Sequence, residues 1–203
     1  YITPRDISKC KIGQCKYVLL TEKDGGIVND PLVLKLSNNH FWLSIADSDV
    51  LLWCKGISSS DKFNINLTEP DVSPLALQGP RASDVMEKIV GSWVKELKFF
   101  YFRETSIENI PVLIARSGWS GEVGYEIYLR DGSMGNKLWE LIMKIGEEFN
   151  IAPGTPSQIN RVESGMLSYG TDMTLDENPY DIGLGKFVNL NKQSDFLSKT
   201  SLN

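Results

Sequence analysis

The stretch R-S-G-W-S-G-E-V-G-Y-E-I-Y-L, residues 116–129, constrains the fold of this chain more than any other. It holds three glycines (Gly118, Gly121, Gly124), two carboxylates (Glu122, Glu126) and three large aromatics (Trp119, Tyr125, Tyr128). Glycine lets the backbone bend and lets another group approach closely. After Gly124 the sequence alternates with the two-residue period of a strand. Tyr125, Ile127 and Leu129 then share one face, and Glu126 and Tyr128 share the other. A carboxylate and a phenol pointing the same way beside a glycine-rich loop form a surface that a ligand can use. A hairpin with one solvated face carries the same pattern.

Around this hairpin the chain alternates short strands and helices. Residues 16–21 read as a strand, 22–26 as a turn, and 27–36 as a second strand bent at Pro31, which has no backbone donor. A turn at Asn38-Asn39 leads to a strand at 41–45. The apolar spacing of Val50, Leu51, Trp53 and Cys54 predicts a helix over 46–56, starting after Asp47, and residues 63–67 alternate like a further strand. Two prolines and three hydrogen-bonding side chains in 69–74 mark a domain boundary. A short strand at 75–79 follows, then an amphipathic helix over 80–90 with Val85, Met86, Ile89 and Val90 on one side and Gly91 past its end. Strands at 97–103 and 111–116 flank a polar turn at Glu108-Asn109. A helix over 133–149 turns Leu138, Trp139, Ile142, Ile145 and Phe149 inward, and another over 156–169 takes Ser157 as its N-cap. This order predicts an α+β fold of antiparallel sheets with helices on one face.

Length and composition exclude several classes. The 203 residues are 41% hydrophobic and 23% charged, an ordinary globular composition, with a net charge of −5 and no basic block. That charge speaks against a nucleic-acid partner. No apolar run approaches the roughly 20 residues of a membrane span, and no signal peptide is evident. Cys10, Cys15 and Cys54 read as reduced cytoplasmic thiols, and a single histidine, His40 in an exposed turn, speaks against a zinc site or a His-based triad. No metal is expected. Gly79-x-x-Ala82 lacks the G-K-[ST] ending of a phosphate loop.

Single motifs have plain structural readings. Gly25-Gly26-Ile27-Val28-Asn29-Asp30 is a glycine turn running into a strand, with an acid that could also hydrogen-bond a heterocycle. Arg161 reads as a surface charge or a local salt bridge. Trp42, Trp53, Trp93 and Trp139 read as packing residues. It is the order of the motifs that is specific: Gly25 to Asp30, Leu75-Ala76-Leu77-Gln78-Gly79-Pro80, Gly118 to Glu126, Arg161-Val162-Glu163-Ser164-Gly165 to Tyr169-Gly170, and Gly183-Leu184-Gly185. Over residues 10–190 this series resembles the folate-dependent aminomethyltransferase family, the T-protein of the glycine cleavage system and its relatives.

Within that family the chain is most similar to the dimethylsulfoniopropionate demethylases. Where T-proteins carry paired acids after G-G-I-x, this chain has Asn29-Asp30. Their G-Y-T-G-E-D-G is here Gly118-Trp119-Ser120-Gly121-Glu122-Val123-Gly124. The A-R-D that precedes their arginine helix is replaced around Pro156-Ser157-Gln158, which counts against aminomethyl transfer. The resemblance implies tetrahydrofolate as methyl acceptor and Asp30 as the acid near its reacting nitrogens, the catalytic residue. It implies Glu126 on the pterin ring, Tyr17 and Trp119 lining the folate pocket, and Ser44, Trp119 and Tyr128 in the combined substrate and folate pocket.

The implied reaction is demethylation of dimethylsulfoniopropionate, giving methylmercaptopropionate and 5-methyltetrahydrofolate. A sulfonium methyl is already activated, so the main work is holding nucleophile and methyl in line. An indole face suits the cation, at about 0.5–2 kcal/mol. Two alternatives stay open. One is an aminomethyltransferase served by a lipoylated carrier protein. The other is a non-catalytic folate-binding module, whose reactive-cysteine stretch has no counterpart at Glu163 to Gly170. The expected partners are the small-molecule substrate and folate, and the sequence leaves a homodimer open. Residues 1–72 are expected to form a mostly β lobe and 73–203 a ferredoxin-like lobe, with folate in a channel between lobes. The opening without Met, the polar tail, and an N-terminal segment and C-terminal barrel lying outside this sequence make the chain read as a fragment.

Overall fold

The structure, a computed structural model, describes residues 1–45, 48–59 and 63–203. Two compact units divide the chain: Tyr1–Glu69 together with Leu167–Asn203, and Pro70–Met166.

The first unit begins with five short strands: β1 Cys15–Tyr17, β2 Leu20–Thr21, β3 Ile27–Asn29, β4 Leu32–Lys35 and β5 Phe41–Ser44. The antiparallel sheet β1-β4-β5 and the ribbon β2-β3 are separate. Each of the two long strands expected from the sequence breaks in the middle, and the cause lies at Pro31. Without an N–H it cannot extend the ladder, so β3 stops at Asn29 and β4 starts afresh at Leu32 in the other sheet. Opposite this break the Val18 N–H donates to the Pro31 carbonyl at 2.9 Å. Helix α1, Val50–Ser58, buries Val50 and Cys54 against Val18, Leu20 and Val33. Ala46 and Asp47, where the helix was expected to begin, lie outside the described residues.

Residues 167–203 close this unit. Met173 packs with Leu19 and Ile27. Gly26 lies so close to this segment that a Cβ would come within 2.2 Å of the Leu175 carbonyl oxygen. The Ile27 N–H donates to the Glu177 carbonyl at 3.0 Å, and buried Lys192 donates through Nζ to the Thr3 carbonyl at 2.7 Å. The sequence reading assigned this segment to the second lobe. Its apolar side chains and hydrogen-bonding groups instead find their partners in the first unit.

The second unit is a four-stranded antiparallel sheet carrying helices. It contains β6 Ser73–Gln78, α2 Ala82–Val90, α3 Trp93–Glu96, β7 Phe102–Ile107, β8 Ile110–Ala115, β9 Gly124–Leu129, α4 Gly135–Gly146 and α5 Gln158–Glu163. The strand order is β6-β9-β8-β7. Pro74 is tolerated because β6 is an edge strand. Glu108 and Asn109 join β7 to β8 with φ of 45° and 68°, the left-handed pair that a tight two-residue hairpin demands. Tyr125, Ile127 and Leu129 pack with Ile114, with Met86 of α2 and with Leu138 and Ile142 of α4 in one core. Each such side chain contributes about 1.5–3 kcal/mol on burial.

Several expectations fail locally. Trp139 is 43% exposed because it sits about 100° around α4 from Leu138, off the inward face. Residues 63–67 are not a strand: Phe63 stacks near Tyr1 at 5.2 Å while Ile65 points outward, and no ladder forms. The strand expected at 97–103 starts at Phe102, after the short helix α3. The helix expected over 156–169 ends at Glu163, where Gly165 takes a positive φ of 69°. Its N-cap is Ser157, whose hydroxyl accepts from the Asn160 N–H at 3.2 Å.

Candidate functional site

In the first unit the break at Asp30-Pro31 leaves an acid at a strand end inside a largely apolar setting. The Tyr17 hydroxyl donates to Asp30 Oδ2 at 3.0 Å. The Tyr17 ring lies 5.5 Å from that of Phe187, which carries the Arg5 guanidinium at 4.4 Å over its face. Arg5 also donates to the Tyr17 carbonyl. Burial pushes the Asp30 carboxyl up to about 6; hydrogen bonds from Tyr17 and from a backbone N–H pull it down, and the charge of Asp172 pushes it up. Burial and the neighbouring Asp30 raise the Tyr17 hydroxyl further, so it stays protonated and can only donate to the carboxylate. An acid near 6 is about one-tenth protonated at pH 7 and can take up or release a proton there. Asn29, fully buried, accepts from the Asp30 N–H at 2.9 Å, while its Nδ2 meets no acceptor among the described residues. Ser44 pairs with Leu32, which pairs with Tyr17. That register sets Ser44 on the face of Tyr17 at about 10 Å, two strand spacings away.

In the second unit the acid is Glu126, on the sheet face opposite the helices. Its cross-strand neighbours are Ala76 on β6 and Ala115 on β8. Ala76 is exposed and leaves a shallow floor on the β6 side of the carboxylate, while Ala115 is fully buried. Ser117 donates to Glu126 Oε2 at 2.5 Å, and the Tyr128 hydroxyl reaches the same oxygen at 3.4 Å. The glycine-rich loop 116–124 is held by Gln78. Its Nε2 donates to the carbonyls of Ser117 (3.2 Å) and Tyr125 (3.3 Å), and its Oε1 accepts from the Ser120 hydroxyl at 2.6 Å. Trp119 carries the Arg161 guanidinium 5.3 Å from its ring centre. Arg161 is 3% exposed and donates to Gln158 Oε1 at 2.8 Å and to the Met166 carbonyl at 3.1 Å.

The structure pairs Tyr17 with Asp30, and Glu126 with Tyr128. Trp119 lies in the loop whose Ser117 binds Glu126, and Ser44 shares only a sheet face with Tyr17. Tyr17, Asp30 and Ser44 belong to the first unit; Trp119, Glu126 and Tyr128 belong to the second. Arg161 is not the surface charge its helical position suggested, because its guanidinium is spent on a side-chain amide, a carbonyl and an indole face. Sequence reasoning quoted Gln78, Ser117 and Ser120 within motifs but gave them no role of their own. A polar residue ending an otherwise apolar strand, opposite a run of glycines, was the available signal for Gln78. Among the described residues no cluster of His, Cys, Asp or Glu is gathered to hold a metal, and no helix is long and apolar enough to cross a membrane.

The chain is similar to proteins of known activity. A dimethylsulfoniopropionate demethylase from Ruegeria pomeroyi is 43% identical over 201 residues, 99% of this chain and 55% of that protein. An aminomethyltransferase from Thermoanaerobacter pseudethanolicus is 33% identical over 204 residues, 97% of this chain and 55% of the relative. The crystal structure of the glycine cleavage system aminomethyltransferase T from Bartonella henselae matches the fold with a TM-score of 0.82 at 26% identity, covering all of this chain and 55% of that one. The chain spans about half the length of the relatives it matches. The family described as the GCVT N-terminal domain matches residues 1–192, nearly the whole sequence, and the chain belongs to that family.

Proposed function

We propose that this chain carries the folate site of a cytoplasmic, tetrahydrofolate-dependent methyltransferase whose methyl donor is dimethylsulfoniopropionate. The observation that carries the folate assignment is Glu126, a carboxylate between two alanines with Ser117 and Tyr128 fixing one of its oxygens. A flat heterocycle with adjacent N–H groups fits such a floor: the small, exposed Ala76 admits the ring, and a carboxylate accepts two parallel hydrogen bonds. The 43% identity to a dimethylsulfoniopropionate demethylase, against 33% to an aminomethyltransferase, supports the sulfonium donor.

When bound, tetrahydrofolate supplies the nitrogen that accepts the methyl group. In the transfer a carbon–nitrogen bond forms, the methyl–sulfur bond breaks with its electron pair going to sulfur, and the nitrogen gives up a proton. Neutral thioether leaves, so no oxyanion site is required. Asp30, titrating near 6, takes that proton and passes it to solvent, while Tyr17 holds its carboxylate in one orientation. Trp119 offers the sulfonium an indole face. The Arg161 guanidinium, 5.3 Å from the centre of that ring, helps to hold it in place. Ser44 and Tyr128 supply hydroxyls to substrate and folate.

A second reading, aminomethyl transfer from a lipoylated carrier, is favoured by the match to the Bartonella henselae T-protein structure. One experiment separates the two. The full-length protein is incubated with tetrahydrofolate and either dimethylsulfoniopropionate or aminomethylated lipoyl carrier, and the folate products are identified by mass. Methylated folate and methylmercaptopropionate from the sulfonium donor are expected. Methylene-folate from the carrier alone moves the assignment to the second reading.

A further inference from the structure

Gly121 of the hairpin loop is kept by its left-handed φ of 77° and by Ser164, whereas at Gly118 and Gly124 one and the same side chain stands in the way of any Cβ. A Cβ at Gly118 would lie 2.1 Å from Gln78 Oε1, and a Cβ at Gly124 would lie 2.1 Å from the same atom. Neither glycine adopts the left-handed φ that would otherwise exclude other residues. Their requirement is therefore space for the Gln78 amide, which lies across the loop like a bolt. Gln78 pairs with Gly124 at the end of the β6–β9 ladder, and the Gly79 N–H adds a bond to the Val123 carbonyl at 2.9 Å.

Both amide hydrogens of Gln78 are committed, one to the Ser117 carbonyl and one to the Tyr125 carbonyl, so the orientation of the amide is set by the network. Those two carbonyls sit at the two ends of the loop. Ser117, held by its backbone, donates its hydroxyl to Glu126. The chain of contacts runs from Gln78 through Ser117 to the carboxylate without leaving the unit Pro70–Met166.

We propose that Gln78 is the positioning residue of the folate site: it locks the 117–124 loop and, through Ser117, sets the carboxylate of Glu126. The inference rests on the folate assignment for Glu126, but its structural half stands alone. Glutamine is required because it donates twice and accepts once from one planar group. Glutamate of the same shape accepts only, and alanine supplies nothing.

The test is a set of double-mutant cycles on the full-length protein, read by thermal unfolding and by equilibrium binding of 5-formyltetrahydrofolate, a stable folate. Gly124→Ala alone should lower the unfolding midpoint and weaken folate binding about tenfold or more. In the Gln78→Ala background, where the space is open, the same substitution should cost little in either measure. Ser117→Ala should weaken folate binding by a similar factor with little change in midpoint, and combining it with Gln78→Ala should add nothing further. Gln78→Glu should fail to restore binding.

Equal damage from Gly124→Ala in both backgrounds overturns the bolt. A Gln78→Ala protein that loses stability yet binds folate within about twofold of the unsubstituted protein overturns the positioning role. Absence of folate binding by the unsubstituted protein overturns instead the assignment of Glu126, and the stability cycle still decides whether Gln78 holds the loop.

Discussion

The two carboxylates of the candidate site, Asp30 and Glu126, are held in opposite ways. Asp30, in the first unit, sits at a strand break forced by Pro31, with burial as the main influence on it and a phenol as its side-chain donor. Glu126, in the second, lies on a regular strand between alanines, with hydroxyls from Ser117 and Tyr128 on one oxygen. Burial with little compensation raises an acid's affinity for its proton, while hydroxyl donors fix a carboxylate as an acceptor. In the proposed function the same functional group takes two tasks, proton transfer at Asp30 and ligand anchoring at Glu126.

The sharpest way to break this contrast is at Asp30. Asp30→Asn should lower kcat by about 100-fold or more, the usual contribution of a positioned acid–base group, while changing folate affinity by no more than about threefold. Steady-state rates beside equilibrium binding check both halves. A smaller effect is expected on the anchoring side. Ala76→Val keeps a strand-compatible residue on an exposed position but narrows the floor beside Glu126, so folate binding should weaken about three- to tenfold with the unfolding midpoint retained.

Tyr17→Phe removes a hydrogen bond that pulls the Asp30 carboxyl down, so its proton is held more tightly. The acid limb of kcat/KM should move to higher pH, costing about two- to fivefold at pH 6 and little at pH 8. An acid limb that stays in place would remove Asp30 from the proton path.

The smallest effect is on stability. The folded-state value for Asp30, about 6, lies above the ordinary 3.8. Below about pH 4 the group is protonated folded or unfolded and contributes nothing. As pH rises from about 4 to 6 the folded state holds the extra proton and stability falls, and above 6 the full penalty applies. Asp30→Asn should therefore stabilise the protein by about 1–3 kcal/mol at pH 8 and by almost nothing at pH 4, as read by denaturant unfolding at the two pH values.

Much of this arrangement was legible in the residues. The alternation from Tyr125 to Leu129 placed the core face correctly, because each strand residue has two options and the apolar ones choose the core. Val85 and Met86 marked the buried face of α2 for the same reason. Pro31 was visible, but that it moves the chain from one sheet to another depends on Val18 and residues far along the sequence. Arg161 misled because a charge on a helix is usually solvated, and Trp119, Gln158 and the Met166 carbonyl are partners that the helix pattern does not show. Gln78 was visible as part of a motif, but its role was not, because its meaning lies in two glycines some 40 residues away.

The most direct test of the account is equilibrium binding of 5-formyltetrahydrofolate to the full-length protein and to its Glu126→Gln and Asp30→Asn variants. Glu126→Gln should weaken binding by about 10- to 100-fold, as expected for loss of charged hydrogen bonds, with Asp30→Asn near the unsubstituted value. Equal affinities in all three, or no binding by the unsubstituted protein, would contradict the division of labour between the two acids.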